Sequence, residues 1–446
     1  MKKISKIQSF QLTSRFFGAL GAVILLYALS FGIGVLSPLA SLLSVLLLTL
    51  ILVETFLLFS SALHLTAHRE MSKMLSLGDE NPIALFIQNK GKFKVNIQLY
   101  DELPFQFQKR NFNENIELLA DSSKQLQYAL RPVQRGEYHF GYLNAHTSSV
   151  IGLVSRRLQL ANPHMVPVYP SVIQMKKYEL IAFARISTFD GIKKIRRIGH
   201  SYEFEQIKSY NLGDDVRSIN WKATGRRNQL MVNQYEDEKA QQIYTIIDKS
   251  RSMHMPFNGL SLLDYSINTS LVISNIALKK SDKAGLISFS HRIGSTLKAD
   301  RSELQLKKIL HSLYHEKPQP YEANYDLLYH GIKKVIRSRS LIFLYLNFES
   351  TYAMERALPI LQKINTHHLL VVMIFENTEL MQYAKRDAEY VSDIYAKTIS
   401  QKLIWEKKQI VSKLRKHGIQ TILSKPEDLS INTVNKYLEL KAKGTI

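Results

Sequence analysis

Three oxygen-bearing side chains stand close together in the chain at Asp248, Ser250 and Ser252, directly after the apolar run Ile243–Ile247. The β-branched run predicts a buried strand, so the three side chains would lie on the loop at its carboxyl end. A carboxylate and two hydroxyls are hard oxygen donors suited to Mg²⁺, and so few protein ligands would leave coordination positions open. A structural loop is the alternative, because serine hydroxyls also bond to local backbone.

Catalytic motifs of other kinds are absent from the sequence. It contains no phosphate-binding Gly-Lys loop, no H-E-x-x-H and no nucleophile elbow. The chain has no cysteine, which excludes disulfides, thiolate catalysis and cysteine zinc sites. We therefore expect a protein that is not an enzyme. The alternative is a metal-dependent hydrolase using Asp214, Asp215 and Asp248, but the sequence offers no general base for it.

A long uncharged segment extends from residue 16 to residue 53. A single helix of that length would measure about 57 Å, nearly twice the hydrocarbon core of about 30 Å. The Ser37-Pro38 pair favours a break, which predicts transmembrane helices at about 16–36 and 39–63 within a domain of residues 1–75. Lysine and arginine flank the pair of helices and are absent between them, which predicts that both ends are cytoplasmic.

Three ionisable side chains lie in or just after the second predicted helix. Glu54 lies inside the span, where ionisable groups are costly, so we expect it to snorkel or to meet a polar group on the first helix. His64 and His68 have the i, i+4 spacing that can present two imidazoles to one metal on a helix. Surface histidines at headgroup level are the favoured interpretation.

Short alternating runs, such as 83–87 and 95–100, follow the hairpin between residues 81 and 157. This pattern is typical of antiparallel strands and predicts a small β-sandwich-like domain over residues 76–165. The prolines between residues 163 and 178 predict an extended connector, since proline disfavours helix.

The stretches Phe204–Tyr210 and Gly213–Arg226 resemble the hallmark of the DUF58 family. The signature residues are Tyr210, Gly213, Asp214, Arg217, Trp221 and Arg226. The residues themselves predict a turn at Gly213 followed by a charge-assisted network of Asp214, Asp215 and Arg217. Trp221 is expected to pack on this turn, with contact to a partner as the alternative.

The resemblance implies a hairpin, a β domain, the signature region at 166–240 and a von Willebrand factor A-like domain at 241–446. It also implies a metal-ion-dependent adhesion site at Asp248, Ser250 and Ser252, completed by a threonine and an aspartate from later loops. No threonine lies between residues 322 and 326, and Asn347 takes the place of the aspartate. Asn347 offers an amide oxygen without charge, so we expect a degenerate site for Mg²⁺ or another divalent cation.

Strand-like and helix-like segments alternate after Asp248, with apolar runs at 284–289, 341–346 and 369–375 and a charged helical stretch at 378–416. This alternation predicts a doubly wound α/β domain, whose ligands bind at the carboxyl ends of its strands. The fold class is therefore a membrane-anchored α/β protein.

The function expected from these features is a membrane-tethered interaction or assembly module at the bacterial inner membrane, with its soluble domains in the cytoplasm. The resemblance implies a MoxR-type AAA+ ATPase as partner. The net charge of +21 also suits anionic surfaces. Because no nucleic-acid module is recognisable, we favour membrane over nucleic acid, and a basic lipid- or nucleic-acid-binding protein is the other alternative.

Overall fold

The computed structural model describes residues 9–60, 62–109, 112–189, 203–211, 214–236, 240–387 and 390–444. The chain divides into two compact units, Met1–Tyr169 and Pro170–Ile446. Each unit has its own elements and its own apolar core.

The first unit combines two apolar helices with antiparallel sheets. The helices are α1 (Ser14–Ser30) and α2 (Leu36–Phe59). The strands are β1 (Phe10–Leu12), β2 (Leu65–Glu70), β3 (Leu75–Ser76), β4 (Asn81–Asn89), β5 (Val95–Asp101), β6 (Asn113–Leu118), β7 (Ser122–Leu130), β8 (Gly136–Phe140), β9 (Leu143–Ser148), β10 (Val154–Ala161) and β11 (His164–Tyr169). Their sheets have the orders β1-β10-β9-β5-β6, β2-β4-β7 and β3-β11-β8.

The turn between the two helices differs from the sequence prediction. It lies at residues 31–35, which include Gly32 and Gly34, and not at Ser37-Pro38. Pro38 sits in the first turn of α2, where the missing N–H would have no helical partner in any case. Within the described residues, α2 alone is long and apolar enough to cross a membrane, whereas α1 is apolar but has 17 residues.

The end of the second helix was also mispredicted, because α2 stops at Phe59. His68 lies on β2, pairs with Phe86 of β4 and stacks its ring on Phe86 with centroids 4.9 Å apart. His64 directly precedes this strand. The two histidines therefore do not share a helix, and the helical i, i+4 arrangement is wrong.

Glu54 does not meet the first helix. Its buried carboxylate accepts hydrogen bonds from the loop between β9 and β10, including the N–H groups of Leu153 at 2.8 Å and Val154 at 3.0 Å. Nearby, Arg156 donates to the carbonyl of Leu58 at 2.7 Å, close to the end of α2. Hydrogen bonds therefore join α2 to the β domain at two points, the Glu54 carboxylate and the Leu58 carbonyl.

The proline-bearing segment after residue 163 is a strand and not a free connector. β11 pairs antiparallel with β8 and parallel with β3. Val166 and Val168 are fully buried, whereas Pro167 alternates to the other face. The predicted boundary at 165/166 falls inside this strand, and the units divide after Tyr169.

A buried polar cluster lies between the sheets of the first unit. Arg69 on β2 forms an ion pair with Asp101 at the end of β5, and both side chains are almost completely buried. The hydroxyl of Tyr128 donates to the same carboxylate at 2.5 Å, and burial together with Asp101 raises the pKa of Tyr128. Asp101 therefore satisfies two buried donors from two different strands.

The second unit is an α/β domain preceded by a small two-stranded module. Its strands are β12 (Glu203–Ser209), β13 (Met231–Glu236), β14 (Gln242–Asp248), β15 (Pro256–Phe257), β16 (Leu260–Ser261), β17 (Lys283–Phe289), β18 (Ile293–Asp300), β19 (Leu341–Leu346), β20 (Leu369–Phe375) and β21 (Gln420–Ser424). Its helices are α3 (Val172–Phe189), α4 (Trp221–Arg227), α5 (Leu262–Lys279), α6 (Gln305–His315), α7 (Tyr325–Val335), α8 (Thr351–His367), α9 (Thr378–Lys385), α10 (Val391–Lys416) and α11 (Leu429–Ala442).

The main sheet has the order β18-β17-β14-β19-β20-β21, and all its strands are parallel except β18 at one edge. Successive residues of β14 enter two different cores: Ile243 joins the cluster containing α5, α6 and α11, and Tyr244 joins the cluster containing α7, α8 and α10. Helices therefore cover both faces, as the continuous apolar runs predict. The mixed α/β class is confirmed.

Replacing Asp101 with alanine would leave the Arg69 guanidinium buried without its counter-charge. We expect a loss of about 3–5 kcal/mol in the stability of the first unit. Hydrogen exchange of the β5 amides in the full chain measures this loss. The control is Glu117→Ala, which removes an exposed ion pair with Lys94 and should leave β5 exchange unchanged. Equal exchange in both variants would contradict a stabilising role for Asp101.

Candidate functional site at the carboxyl edge of the sheet

The parallel register brings two of the predicted ligands to one edge of the main sheet. Ile247 of β14 lies opposite Tyr345 of β19, so Asp248, which ends β14, and Asn347, which follows β19, lie at the carboxyl ends of neighbouring strands. This edge is where open α/β sheets bind their ligands. The two segments are also in contact, because the Asn347 amide donates to the carbonyl of Ser252 at 3.0 Å.

Asp248 is completely buried at this edge. One carboxylate oxygen, Oδ1, accepts a hydrogen bond from the N–H of Ser250 at 2.8 Å. The other, Oδ2, has no hydrogen-bond partner within the described residues. Burial raises the pKa of Asp248 to about 7, although the bonds from Ser250 act in the opposite direction. The unpartnered oxygen is therefore a strong acceptor for a proton or a cation.

The loop after Asp248 brings the two serine hydroxyls together, with Ser250 Oγ and Ser252 Oγ 3.1 Å apart. Backbone hydrogen bonds hold this loop: Lys249 donates to Phe289 at 2.9 Å, and Arg251 donates to Tyr321 at 3.0 Å. Because these bonds come from β17 and from the segment before α7, the positions of the hydroxyls are fixed by tertiary structure.

The side chain of Lys249 is engaged by a buried carboxylate. Its ammonium lies 2.8 Å from Glu316, which also accepts a 2.6 Å hydrogen bond from Ser288. Burial raises the pKa of Glu316, but the bonds from Lys249 and Ser288 outweigh it, so the pKa lies below its ordinary value. This ion pair fixes the side chain of Lys249 and so stabilises the loop.

Asn347 has a different role from the one the resemblance implies. Its amide oxygen accepts a hydrogen bond from the ammonium of Lys407 on α10, which also donates to the carbonyl of Phe348. Burial lowers the pKa of Lys407 to about 8, with Glu349 acting in the opposite direction. The position where the resemblance implies an anionic ligand therefore holds an amide already bonded to a cation.

Tyr325 stands in the loop that was expected to supply a threonine. It begins α7, and its ring contacts Phe289 and Phe348 with centroids 5.9 and 6.0 Å apart. Burial raises the pKa of the Tyr325 phenol, and the neighbouring Asp248 carboxylate raises it further. An aromatic wall with a neutral hydroxyl thus lies beside the buried carboxylate.

These residues fit a divalent cation in part. The described residues contain no cluster of three or more His, Cys, Asp or Glu side chains with metal-ligand geometry. Asp248, Ser250 and Ser252 offer three hard oxygens from one rigid loop, including the unpartnered Oδ2. Asn347 does not fit, because its oxygen is held by the positive charge of Lys407. A set with one anionic ligand corresponds to weak binding.

The signature carboxylates form a local network, but with a different cation from the predicted one. Asp214 lies 2.9 Å from the ammonium of Lys208 and accepts from the N–H of Asn211 at 3.0 Å. These bonds, that from Asn211 first, lower the pKa of Asp214. Asp215 accepts from the backbone N–H of Arg217 at 2.9 Å. The carboxylates thus shape the turn through Lys208 and backbone groups.

Trp221 does not pack on the turn, because its side chain is 72% exposed at the start of α4. Arg226 lies in the last turn of the same helix, and the N–H of Tyr210 donates to Leu230 at 2.8 Å. Gly213 lies outside the described residues. This exposure does not agree with the predicted packing of Trp221, and contact with a partner stays a prediction.

Sequence analysis did not identify Lys407 and Tyr325 as site residues. Lys407 is 60 residues from Asn347 in the chain and lies in a helix rich in lysine, so no local signal distinguishes it. Tyr325 could have been identified from the sequence, because it lies within residues 322–326, where the expected threonine is missing.

Comparison with known families concerns the segment that carries both the signature and the Asp248 edge. Residues 206–382 match the family model described as "Protein of unknown function DUF58". The resemblance to DUF58 is confirmed over these residues. The uncharacterized protein YeaD of Bacillus subtilis (strain 168) is 27% identical over 130 residues, which are 29% of this chain and 32% of that protein. The aligned part thus spans about a third of the curated relative's length.

Solved structures show only distant likeness. The SpRpn10 VWA domain has a TM-score of 0.29 and 11% identity, covering 44% of this chain and 95% of that domain. The CARDB domain of the PF1109 protein from Pyrococcus furiosus, crystallised in complex with di-metal ions, has a TM-score of 0.18 and 16% identity. It covers 24% of this chain and 88% of that domain. Likeness at these TM-scores carries no argument, so the α/β description depends on the sheet order itself.

The raised pKa of Asp248 predicts a pH-dependent stability. The folded state favours the protonated carboxyl, so its contribution is complete below the unfolded pKa of about 4 and is lost as the pH rises through about 7. Asp248→Asn should therefore stabilise the chelator-treated protein at pH 8, by at most roughly 4 kcal/mol, with no gain near pH 4. Hydrogen exchange of β14 measures this. The control Asp300→Asn removes a carboxyl whose pKa is lowered by bonds from Ser302 and Arg301, so it should give no gain.

Removing the Lys407 charge should strengthen cation binding, because the Asn347 oxygen becomes free and the repulsion disappears. We expect Lys407→Met to tighten Mg²⁺ binding about tenfold, measured by calorimetry on the full chain. The exposed neighbouring lysine provides the control, and Lys408→Met should leave the affinity as it is. Equal affinities for the two variants would show that Lys407 does not oppose the cation.

Proposed function

We propose that this chain is a non-enzymatic interaction module that α1 and α2 tether to a membrane and that binds a protein partner at the Asp248 edge. The observation that carries the proposal is the buried Asp248 oxygen without a hydrogen-bond partner in the described part of the chain. Beside it lie the paired hydroxyls of Ser250 and Ser252. Mg²⁺ held by these three residues would offer its remaining positions to water and to a carboxylate of the partner.

Binding is favoured over catalysis because the charged groups that flank Asp248 already have structural partners. Glu316 is paired with Lys249, and Lys407 is bonded to Asn347 and Phe348. A hydrolase would need a base within hydrogen-bond reach of a water or substrate. Asp214, which the hydrolase alternative would use, is held by Lys208 in its own segment.

Charge around the edge favours an acidic partner. Lys407 places a positive charge next to the loop. The net charge of +21 adds a long-range attraction for acidic surfaces. The DUF58 resemblance implies a MoxR-type AAA+ ATPase as this partner, and we propose it as the first candidate.

The membrane tether is supported by the length of α2 and by strand pairing at the two ends of the hairpin. β1, which precedes α1, pairs with β10, which follows α2, so the chain must return to the side from which it started. Lysine and arginine flank the hairpin, and the positive-inside rule then places both units in the cytoplasm of a bacterium, at the inner membrane.

Co-purification from membranes tests the proposed binding. A partner retained by the native chain should be lost with Asp248→Asn and after Mg²⁺ chelation, because both remove the bridging cation. Mass spectrometry identifies the partner, and an AAA+ ATPase is the expected result. The matched control is Asp300→Asn. Asp300 pairs with Ala284 near the amino end of β17, away from the Asp248 edge, so this change should not affect retention.

A salt series separates the alternatives. Binding through dispersed positive charge falls steeply with ionic strength and does not respond to chelation. A metal-bridged contact is abolished by chelator and changes less with salt. A partner retained equally by native chain and Asp248→Asn would contradict the proposed site.

A further inference from the structure

The loop between β9 and β10, residues 149–153, is fixed to the second helix by one carboxylate. Glu54 Oε1 accepts from the Ser149 hydroxyl at 2.6 Å and from the Gly152 N–H at 2.9 Å. Its Oε2 accepts from the N–H groups of Leu153 and Val154 at 2.8 and 3.0 Å. Four hydrogen bonds to one fully buried charged group give this loop a defined position on α2.

The first helix holds the same loop from the other side. Thr13, directly before α1, donates its hydroxyl to the Gly152 carbonyl at 2.6 Å and its N–H to Leu153 at 3.1 Å. Arg15 approaches the Ile151 carbonyl at 3.5 Å. Gly152 has a φ of +72°, and a Cβ there would lie 3.0 Å from the Arg15 guanidinium, so a side chain at this position would be strained.

The position of these contacts along the helices defines a depth. Glu54 follows Leu36, the first residue of α2, by a helical distance of about 27 Å, close to the hydrocarbon thickness of about 30 Å. Thr13 lies at the corresponding end of α1. If the hairpin spans a bilayer, Glu54 and Thr13 mark its boundary, and the loop that they hold lies there too.

The tip of the loop is apolar and solvent-accessible. Val150 is 65% exposed and Ile151 is 39% exposed. We propose that these two side chains enter the boundary between lipid headgroups and acyl chains, and that Glu54 holds them at that depth. The proposal rests on the membrane tether proposed above. Lipid is the expected occupant because the loop is hydrogen-bonded to Glu54 near the end of α2 and to Thr13 directly before α1, so its tip lies at the end of the apolar hairpin.

This contact would orient the β domain on the membrane. Two helices alone allow a domain to tilt, whereas a third apolar contact beside them restricts that tilt. Burying Val150 and Ile151 in the interfacial region also adds a favourable apolar transfer term.

Single-cysteine variants test the depth, because the native chain contains no cysteine. Val150→Cys is labelled with a polarity-sensitive fluorophore, and the full chain is reconstituted in vesicles of phosphatidylethanolamine and phosphatidylglycerol. Ile151→Cys serves as a second position on the loop. Quenching by lipids spin-labelled near the headgroup should exceed quenching by lipids labelled deep in the acyl chain about twofold or more, since the boundary lies above the bilayer centre.

Two further positions calibrate the measurement. Leu46→Cys, 48% exposed in the middle of α2, should be quenched mainly by the deep label. Phe105→Cys, 85% exposed, should be quenched by neither. It follows the Asp101 end of β5, whereas the loop follows the Ser148 end of its partner β9, and these ends are about 17–20 Å apart.

The outcomes distinguish the two proposals. If the Val150 and Ile151 labels behave like the Phe105 label while the Leu46 label is quenched, the loop contact is overturned and the tether stands. If the Leu46 label is not quenched, the tether itself fails.

Glu54→Gln tests the holding role separately. It keeps the size of the side chain but replaces two acceptor oxygens by one, so the N–H groups of residues 152–154 should exchange about tenfold faster. Quenching of the Val150 label by the shallow probe should fall, whereas the Phe105 label should not change. Unchanged exchange would overturn the role of Glu54.

Discussion

The parallel pairing of β14 with β17 and β19 is the constraint on which the candidate site depends. The three strands are buried on both faces and their carboxyl ends lie side by side, so the residues at these ends meet at one edge. Asp248 is fully buried because it ends the central strand. The same pairing places the carbonyl of Phe289 where it accepts a hydrogen bond from the N–H of Lys249. This bond fixes the first residue of the loop that carries Ser250 and Ser252.

The sequence was most informative where apolar runs were long. The strands Leu341–Leu346 and Leu369–Phe375 were predicted with their observed limits, because burial on all sides leaves a continuous hydrophobic pattern. The site was predicted less completely. The spacing of Asp248, Ser250 and Ser252 is local and visible, whereas the bond from Lys407 to Asn347 depends on where α10 packs. The local sequence around either residue does not indicate such a long-range contact.

The first unit shows why polar signals in an apolar segment can mislead. Pro38 predicted a break but lies in the first turn of α2, because the same residue suits both positions. Glu54 was expected to snorkel or to meet a polar group on the first helix, yet its partners follow it by 95 to 100 residues. In both cases the residue type showed that the position needs compensation, for a missing N–H at Pro38 and for a buried carboxyl group at Glu54. Which groups provide that compensation is decided by the tertiary structure.

The pairing of β1 with β10 has a consequence for how the chain folds as it is synthesised. Gln11 and Ser155 are partners across 144 residues, and both apolar helices lie between them. The ribosome therefore releases β1 long before its partner exists, and this edge of the sheet must remain open until the β domain has been translated. Closing such a distant contact is slow compared with helix formation, so α1 and α2 can form before the sheet is complete. β1 is therefore synthesised well before β10 but can pair only after β10 has been made.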